Sequence, residues 1–88
     1  MNDQRQLELN LAKWLLRIRE EKGISQDALS IQLGKGQSDI AKMENGSKRI
    51  SVLELIAWTA ALNVPVERIQ EILVVLYSSY SNKSNNGY

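Results

Sequence analysis

The segment Ser25-Gln-Asp-Ala-Leu-Ser-Ile-Gln-Leu-Gly-Lys-Gly-Gln-Ser-Asp-Ile-Ala-Lys-Met-Glu-Asn-Gly46 decides how this chain is read. Ser25 suits a helix N-cap, because its hydroxyl can accept from a free backbone N–H two or three residues on. Leu29 and Leu33 lie four apart and share one helix face. Gly34 follows at once, where a helix end takes a left-handed residue. A second helix restarts at Gly36 or Gln37, with Ile40 and Met43 three apart on its inner side. Gln37, Ser38, Ala41 and Lys42 then point outward, and Asn45-Gly46 stops the helix.

Two short helices joined by a tight turn, the second carrying polar residues on its exposed N-terminal side, make a helix-turn-helix signature. With its surroundings, the segment resembles the Cro and phage-repressor class of helix-turn-helix regulators, also called the xenobiotic-response-element class. The residues that carry the resemblance are Leu16 to Gln26 (LRIREEKGISQ), Leu33-Gly34, Gln37-Ser38-x-Ile40, Glu44 to Arg49 (ENGSKR) and the run from Leu55 to Val64. The match covers most of residues 11–76 and rests on combined spacing. It implies an all-α, lambda-repressor-like DNA-binding domain with the motif formed by helices 2 and 3.

Working outward, Leu11, Trp14, Leu15 and Ile18 follow i, i+3, i+4, i+7 and form the inner face of a first helix. Residues 1–8 are polar and read as a frayed start, with Leu7 a candidate first helical residue. Gly23 ends the helix after Lys22, a cation placed against its negative end. Leu16 lies off the stripe, as either a surface residue or a contact with a second subunit. Beyond the motif, Ser51 is the expected cap of a fourth helix. Val52, Leu55, Thr59 and Leu62 form its core stripe, widened by Ile56 and Trp58. With Leu53, Ala57, Ala60 and Ala61 it is apolar almost all round, the pattern of a helix at the centre of a bundle. Pro65 fits the first turn of a fifth helix, whose inner stripe is Ile69, Ile72, Leu73 and Leu76. Val66, Val74, Val75 and Tyr77 widen that stripe beyond one face. Trp14 and Trp58 both lie on helix stripes and read as core. The expected architecture is a compact five-helix bundle over residues 1–77, followed by a flexible Ser/Asn-rich tail at 78–88.

Composition narrows the functions. The chain has 88 residues, a single-domain length, with no Cys, no His and a net charge of +1. Thiol chemistry is excluded, and the commonest metal ligand and general base is absent. No Gly-rich phosphate cradle or carboxylate pair at metal spacing is present, so we expect no enzyme, no metal and no cofactor. No apolar run approaches the roughly 20 residues of a membrane span, and the N-terminus lacks a signal-peptide pattern; the expected location is the cytoplasm. Positive charge gathers at the motif: residues 13–53 carry eight Lys and Arg against five Asp and Glu, whereas each flank carries one excess acid.

The resemblance implies that Gln37, opening the second motif helix, is the first base-reading residue. Its amide can donate to adenine N7 and accept from adenine N6 together. Ser38 can reach a base edge or a phosphate. Lys42, one turn on, suits guanine O6 and N7, and Ala41 a thymine methyl. Gln26 matches a position that bonds phosphate and braces the first base reader. Lys35, Asn45, Lys48 and Arg49 flank the helix as phosphate candidates. Asp39 either complements the helix N-terminus or accepts from cytosine N4. The family further implies an ion pair between Arg19 and Glu44, which alone would read as solvated charges.

The expected function is sequence-specific binding of double-stranded DNA by a small transcriptional repressor or operon controller. A homodimer held by the fifth helix at Val74 and Val75, with Leu16 nearby, would bury the excess apolar surface and double the reading length. The alternative is a protein-interaction module on the same fold, such as an antitoxin with a small toxin partner; the apolar surplus at Ile31, Val74 and Val75 is its feature.

Overall fold

Five amphipathic stretches fold as α-helices: α1 (Asp3–Glu21), α2 (Gln26–Leu33), α3 (Gln37–Asn45), α4 (Val52–Ala61) and α5 (Val66–Asn86). The structure is a computed structural model, which describes residues 3–86 and the side chains of 4–81. Among the described residues there is no strand, and the fold is all-α. Helix α1 packs on α5 and α3, while α2 packs on α3 and α4. Every helix contributes to one core, built from Trp14, Leu15 and Ile18 of α1, Leu29 of α2, Ile40 and Met43 of α3, Leu55 and Trp58 of α4, and Ile72 of α5. Burying an aliphatic side chain of this kind is worth about 1.5–3 kcal/mol. Trp58 is fully buried, and its indole N–H donates to the Leu15 carbonyl at 3.3 Å, so the ring brings no unpaired donor inside.

Local signals set the helix ends. The Ser25 hydroxyl accepts from Ala28 N–H, and Gly34 closes α2 at φ +66°. Helix α3 starts at Gly36, which offers no side-chain cap, and stops at Gly46 with φ +82°. Glycine suits position 46 because that backbone angle disfavours any side chain; a Cβ there would also meet Leu9 Cδ2 at 2.5 Å, so the Leu9 side-chain tip would have to move. The α4 entry is a full capping box. Ser51 Oγ accepts from Glu54 N–H, and the Glu54 carboxylate accepts from Ser51 N–H. Asn63, at φ +56°, turns the chain out of α4.

Three sequence expectations are corrected. Helix α1 begins at Asp3, not near Leu7. The Arg5 guanidinium donates to the Gly46 carbonyl, 41 residues away, and no local pattern announces such an anchor. Helix α4 is not central: Val52, Leu53 and Ile56 are 70%, 77% and 49% exposed. Leu55, Trp58 and Thr59 along the helix, with Leu62 at its end, are buried, and Ala61 packs against the core from partial burial; a domain this small has too little interior to enclose a helix on all sides. Helix α5 continues past Tyr77 to Asn86, through Ser/Asn-rich sequence read as a flexible tail. Extending an established helix adds one hydrogen bond for each residue ordered, without repeating the cost of nucleation. Gly87 and Tyr88 lie outside the described residues.

Candidate nucleic-acid interface

Helix α3 divides by its own periodicity. Ile40 and Met43 are fully buried, and Glu44 is nearly so. On the other side Gln37, Ser38 and Lys42 are exposed and Ala41 is half-buried. All four residues expected to read bases therefore belong to one short helix, with three of them open to a ligand.

The inner side is held by a polar knot. Glu44 accepts from Arg19 Nε at 2.5 Å and from Arg19 Nη2 at 3.1 Å. Arg19 Nη1 donates to the Ile24 carbonyl at 2.7 Å. Gln26 Nε2 donates to the same Glu44 carboxylate at 2.8 Å. The end of α1 and the first residue of α2 thus meet the last turn of α3 at one carboxylate, and Arg19 ties in the α1–α2 loop as well. Glu44 holds the Arg19 guanidinium above its ordinary pKa, chiefly through that bond, against the opposing effect of burial. No buried side-chain polar atom lacks a partner among the described residues, so the knot leaves no desolvation penalty uncompensated. Gln26, expected on phosphate, spends one amide N–H on Glu44 and keeps the second.

The flank is organised by a residue that the sequence reading assigned no role. Glu54 Oε2 accepts from Lys48 Nζ at 3.0 Å and forms an ion pair with Lys35 Nζ at 3.2 Å, tying together the turns before and after α3. Its carboxyl pKa falls from near 4.5 to about 2, first through the Ser51 backbone N–H, then through Lys48 and Lys35, against the opposing cost of burial. Lys48 is held charged by Glu54 first, with Asp39 adding an attraction. Asp39 is half-buried in the first turn of α3, and its charge is felt at Lys48. Arg49 is 83% exposed, with its Nε 3.4 Å from Glu8. Asn45 is exposed at the end of α3, and its side-chain oxygen accepts from Ser47 N–H at 2.8 Å. The Ser51-x-x-Glu54 spacing is the signal that could have marked Glu54 as a capping-box residue; nothing local announces that both lysines reach it.

Val74 and Val75 are 63% and 51% exposed on α5, in a helix that also exposes Val66, Leu73, Tyr77 and Tyr80. Leu16 is half-buried on α1. No helix of the described residues is long and apolar enough to cross a membrane.

Comparison with known proteins agrees with the fold. A family described as helix-turn-helix matches residues 15–69, which include α2, α3 and α4. Among solved structures, the restriction-modification controller protein C.AhdI from Aeromonas hydrophila superposes with a TM-score of 0.62 at 23% identity, covering 68% of this chain and 91% of that one. At that identity the likeness speaks to the fold. No curated protein matches the chain. With more than half of its length matched, centred on the motif that positions Gln37 to Lys42, the chain belongs to the Cro/repressor-type helix-turn-helix family of DNA-binding transcriptional regulators.

Proposed function

We propose that the protein is a sequence-specific regulator, a small repressor or operon controller, that inserts α3 into the major groove of double-stranded DNA as a homodimer. The observation that carries this reading is the two-sidedness of α3: its inner side is locked by Glu44, while Gln37, Ser38 and Lys42 stand exposed along its outer side. A reading helix must not move relative to its scaffold, because specific contacts are bidentate and tolerate little displacement. In this reading Gln37 meets adenine, Lys42 meets guanine, Ser38 a base edge or phosphate, and Ala41 a thymine methyl. Gln26, through its remaining N–H, joins Lys35, Asn45, Lys48 and Arg49 at the phosphates. A restriction-modification controller protein shares this fold.

The homodimer is supported by α5. Its exposed Val74, Val75 and Tyr77 leave apolar surface in water, and a twofold partner would cover it while presenting a second α3 about 34–36 Å away. Leu16 on α1 is the further interface candidate. Binding enriched from random duplexes should yield paired half-sites. Enrichment of no sequence, or of single unpaired sites by a chain that remains monomeric in sedimentation equilibrium, would overturn this reading. Val74→Asp should shift the native dimer toward monomer.

A second reading, a protein-binding role such as that of an antitoxin, is favoured by one observation. Ile31 on α2 and Val52 and Leu53 on α4 are at least 70% exposed, outside α5. Both readings are non-enzymatic and place the protein in the cytoplasm. A stoichiometric complex with one small protein, destroyed by Leu53→Asp but kept in Val74→Asp, would establish the second.

A further inference from the structure

Glu54 stands outside the base-reading surface yet joins both of its cationic flanks. Lys35 lies in the turn before α3, and Lys48 in the loop after it; they reach the same oxygen, Oε2, at 3.2 and 3.0 Å. The other oxygen, Oε1, accepts from Ser51 N–H at 2.9 Å, so the carboxylate is fixed to the α4 backbone rather than free to swing. All three side chains are partly shielded, at 29%, 35% and 19% exposure. Each ammonium has three N–H donors; Lys48 gives one to Glu54 and Lys35 stands in an ion pair with the same oxygen, so both keep donors for another acceptor. The cluster therefore has two ammoniums in one place, several unused donors and a net charge of only +1. Arg49, 83% exposed and 3.4 Å from Glu8, has no comparable brace.

Resting on the DNA-binding reading above, we propose that Glu54 is a specificity-determining positioning residue: it sets Lys35 and Lys48 as a paired phosphate clamp beside α3 and cancels one of their two charges. Placement and charge act in opposite directions on the two kinds of binding. Binding to random DNA is electrostatic and scales with the phosphates neutralised. Cancelling one charge lowers it directly. Binding to the correct site also depends on base contacts, and those need α3 in register with the backbone. A clamp held at fixed geometry supports that register while adding little affinity for arbitrary sequence. Free lysines would do the reverse. The carboxylate thus raises the ratio of specific to non-specific binding rather than affinity as such.

Glu54→Gln tests this with little disturbance to the fold, because Gln also serves at the third position of a capping box. Native chain and variant are titrated against a duplex selected from random DNA and against a random duplex, each over a salt series. For the variant, affinity for the random duplex should rise roughly three- to tenfold and its salt slope should steepen by about one unit. The selected-to-random ratio should fall, and adding Lys35→Ala with Lys48→Ala should abolish the gain. A second arm changes one lysine at a time. With Glu54 in place, Lys35→Ala or Lys48→Ala leaves a cluster of no net charge and should lose about one unit of slope on the random duplex, whereas the same change made in Glu54→Gln should return the slope to the native value. An unchanged or shallower slope in Glu54→Gln, or a slope in Glu54→Gln with one lysine replaced that stays well away from the native one, overturns the inference while native DNA binding stands. A native chain that binds no duplex at low salt overturns the DNA-binding reading and this inference with it.

Discussion

The two sides of α3 use the same chemistry for different ends. Inside, Glu44 is 6% exposed, and its carboxylate is met by a guanidinium and an amide. Beside the outer surface, Glu54 is met by two ammoniums and remains in contact with water. A buried carboxylate must be matched by good geometry or its desolvation is not repaid, and Arg supplies a planar fork that Lys does not. A partly solvated carboxylate needs no such match, and flexible lysines suffice there. The buried site therefore has mechanical consequences, and the exposed one electrostatic consequences that salt can screen.

This contrast predicts a ranked set of outcomes. Arg19→Ala should have the largest effect, destabilising the fold by roughly 3–5 kcal/mol, because Glu44 is left charged and buried. Denaturant unfolding measures it, and the double change with Glu44→Ala should cost less than the two single costs together. Additivity would show that the inner pair is not coupled. Gln37→Ala comes next. It should leave stability within about 0.5 kcal/mol but cost roughly 1–3 kcal/mol on the selected site and relax one base pair per half-site. Equal losses on selected and random DNA would remove Gln37 from the base readers.

The third outcome is a pH dependence. Glu54 has a folded pKa of about 2, below its ordinary value near 4.5. Its stabilising contribution is therefore fully present above about pH 4.5 and is lost as pH falls toward 2. Melting temperature should fall more steeply with acid in the native chain than in Glu54→Gln across that window. Parallel curves would mean that the carboxylate contributes nothing to acid stability. The smallest expected effect on the fold belongs to Arg49→Ala, within about 0.5 kcal/mol. It should nonetheless flatten the salt slope of DNA binding by about one unit, equally on selected and random sequences. A slope that does not change would take Arg49 off the phosphates.

What could be read along the chain was what acts over one or two helical turns. The stripe Leu11, Trp14, Leu15, Ile18, the Ser25 and Ser51 caps, and the glycines at 34 and 46 depend on backbone geometry within a few residues, and they suffice for the five helices and the motif. The outward set at 37, 38 and 42 follows from the burial of Ile40 and Met43 on the same short helix. Arg19 with Glu44 was legible only through the family resemblance, since 25 residues separate them. Three things were decided by packing. Arg5 reaches Gly46 across the fold and carries α1 back to Asp3. Helix α4, apolar nearly all round, turns Val52 and Leu53 to solvent, because hydrophobicity records a tendency to be covered and not whether a neighbour is there to do it. Lys35 and Lys48 both close on Glu54, because two turns and a helix cap that are distant in sequence converge only once α2, α3 and α4 are assembled.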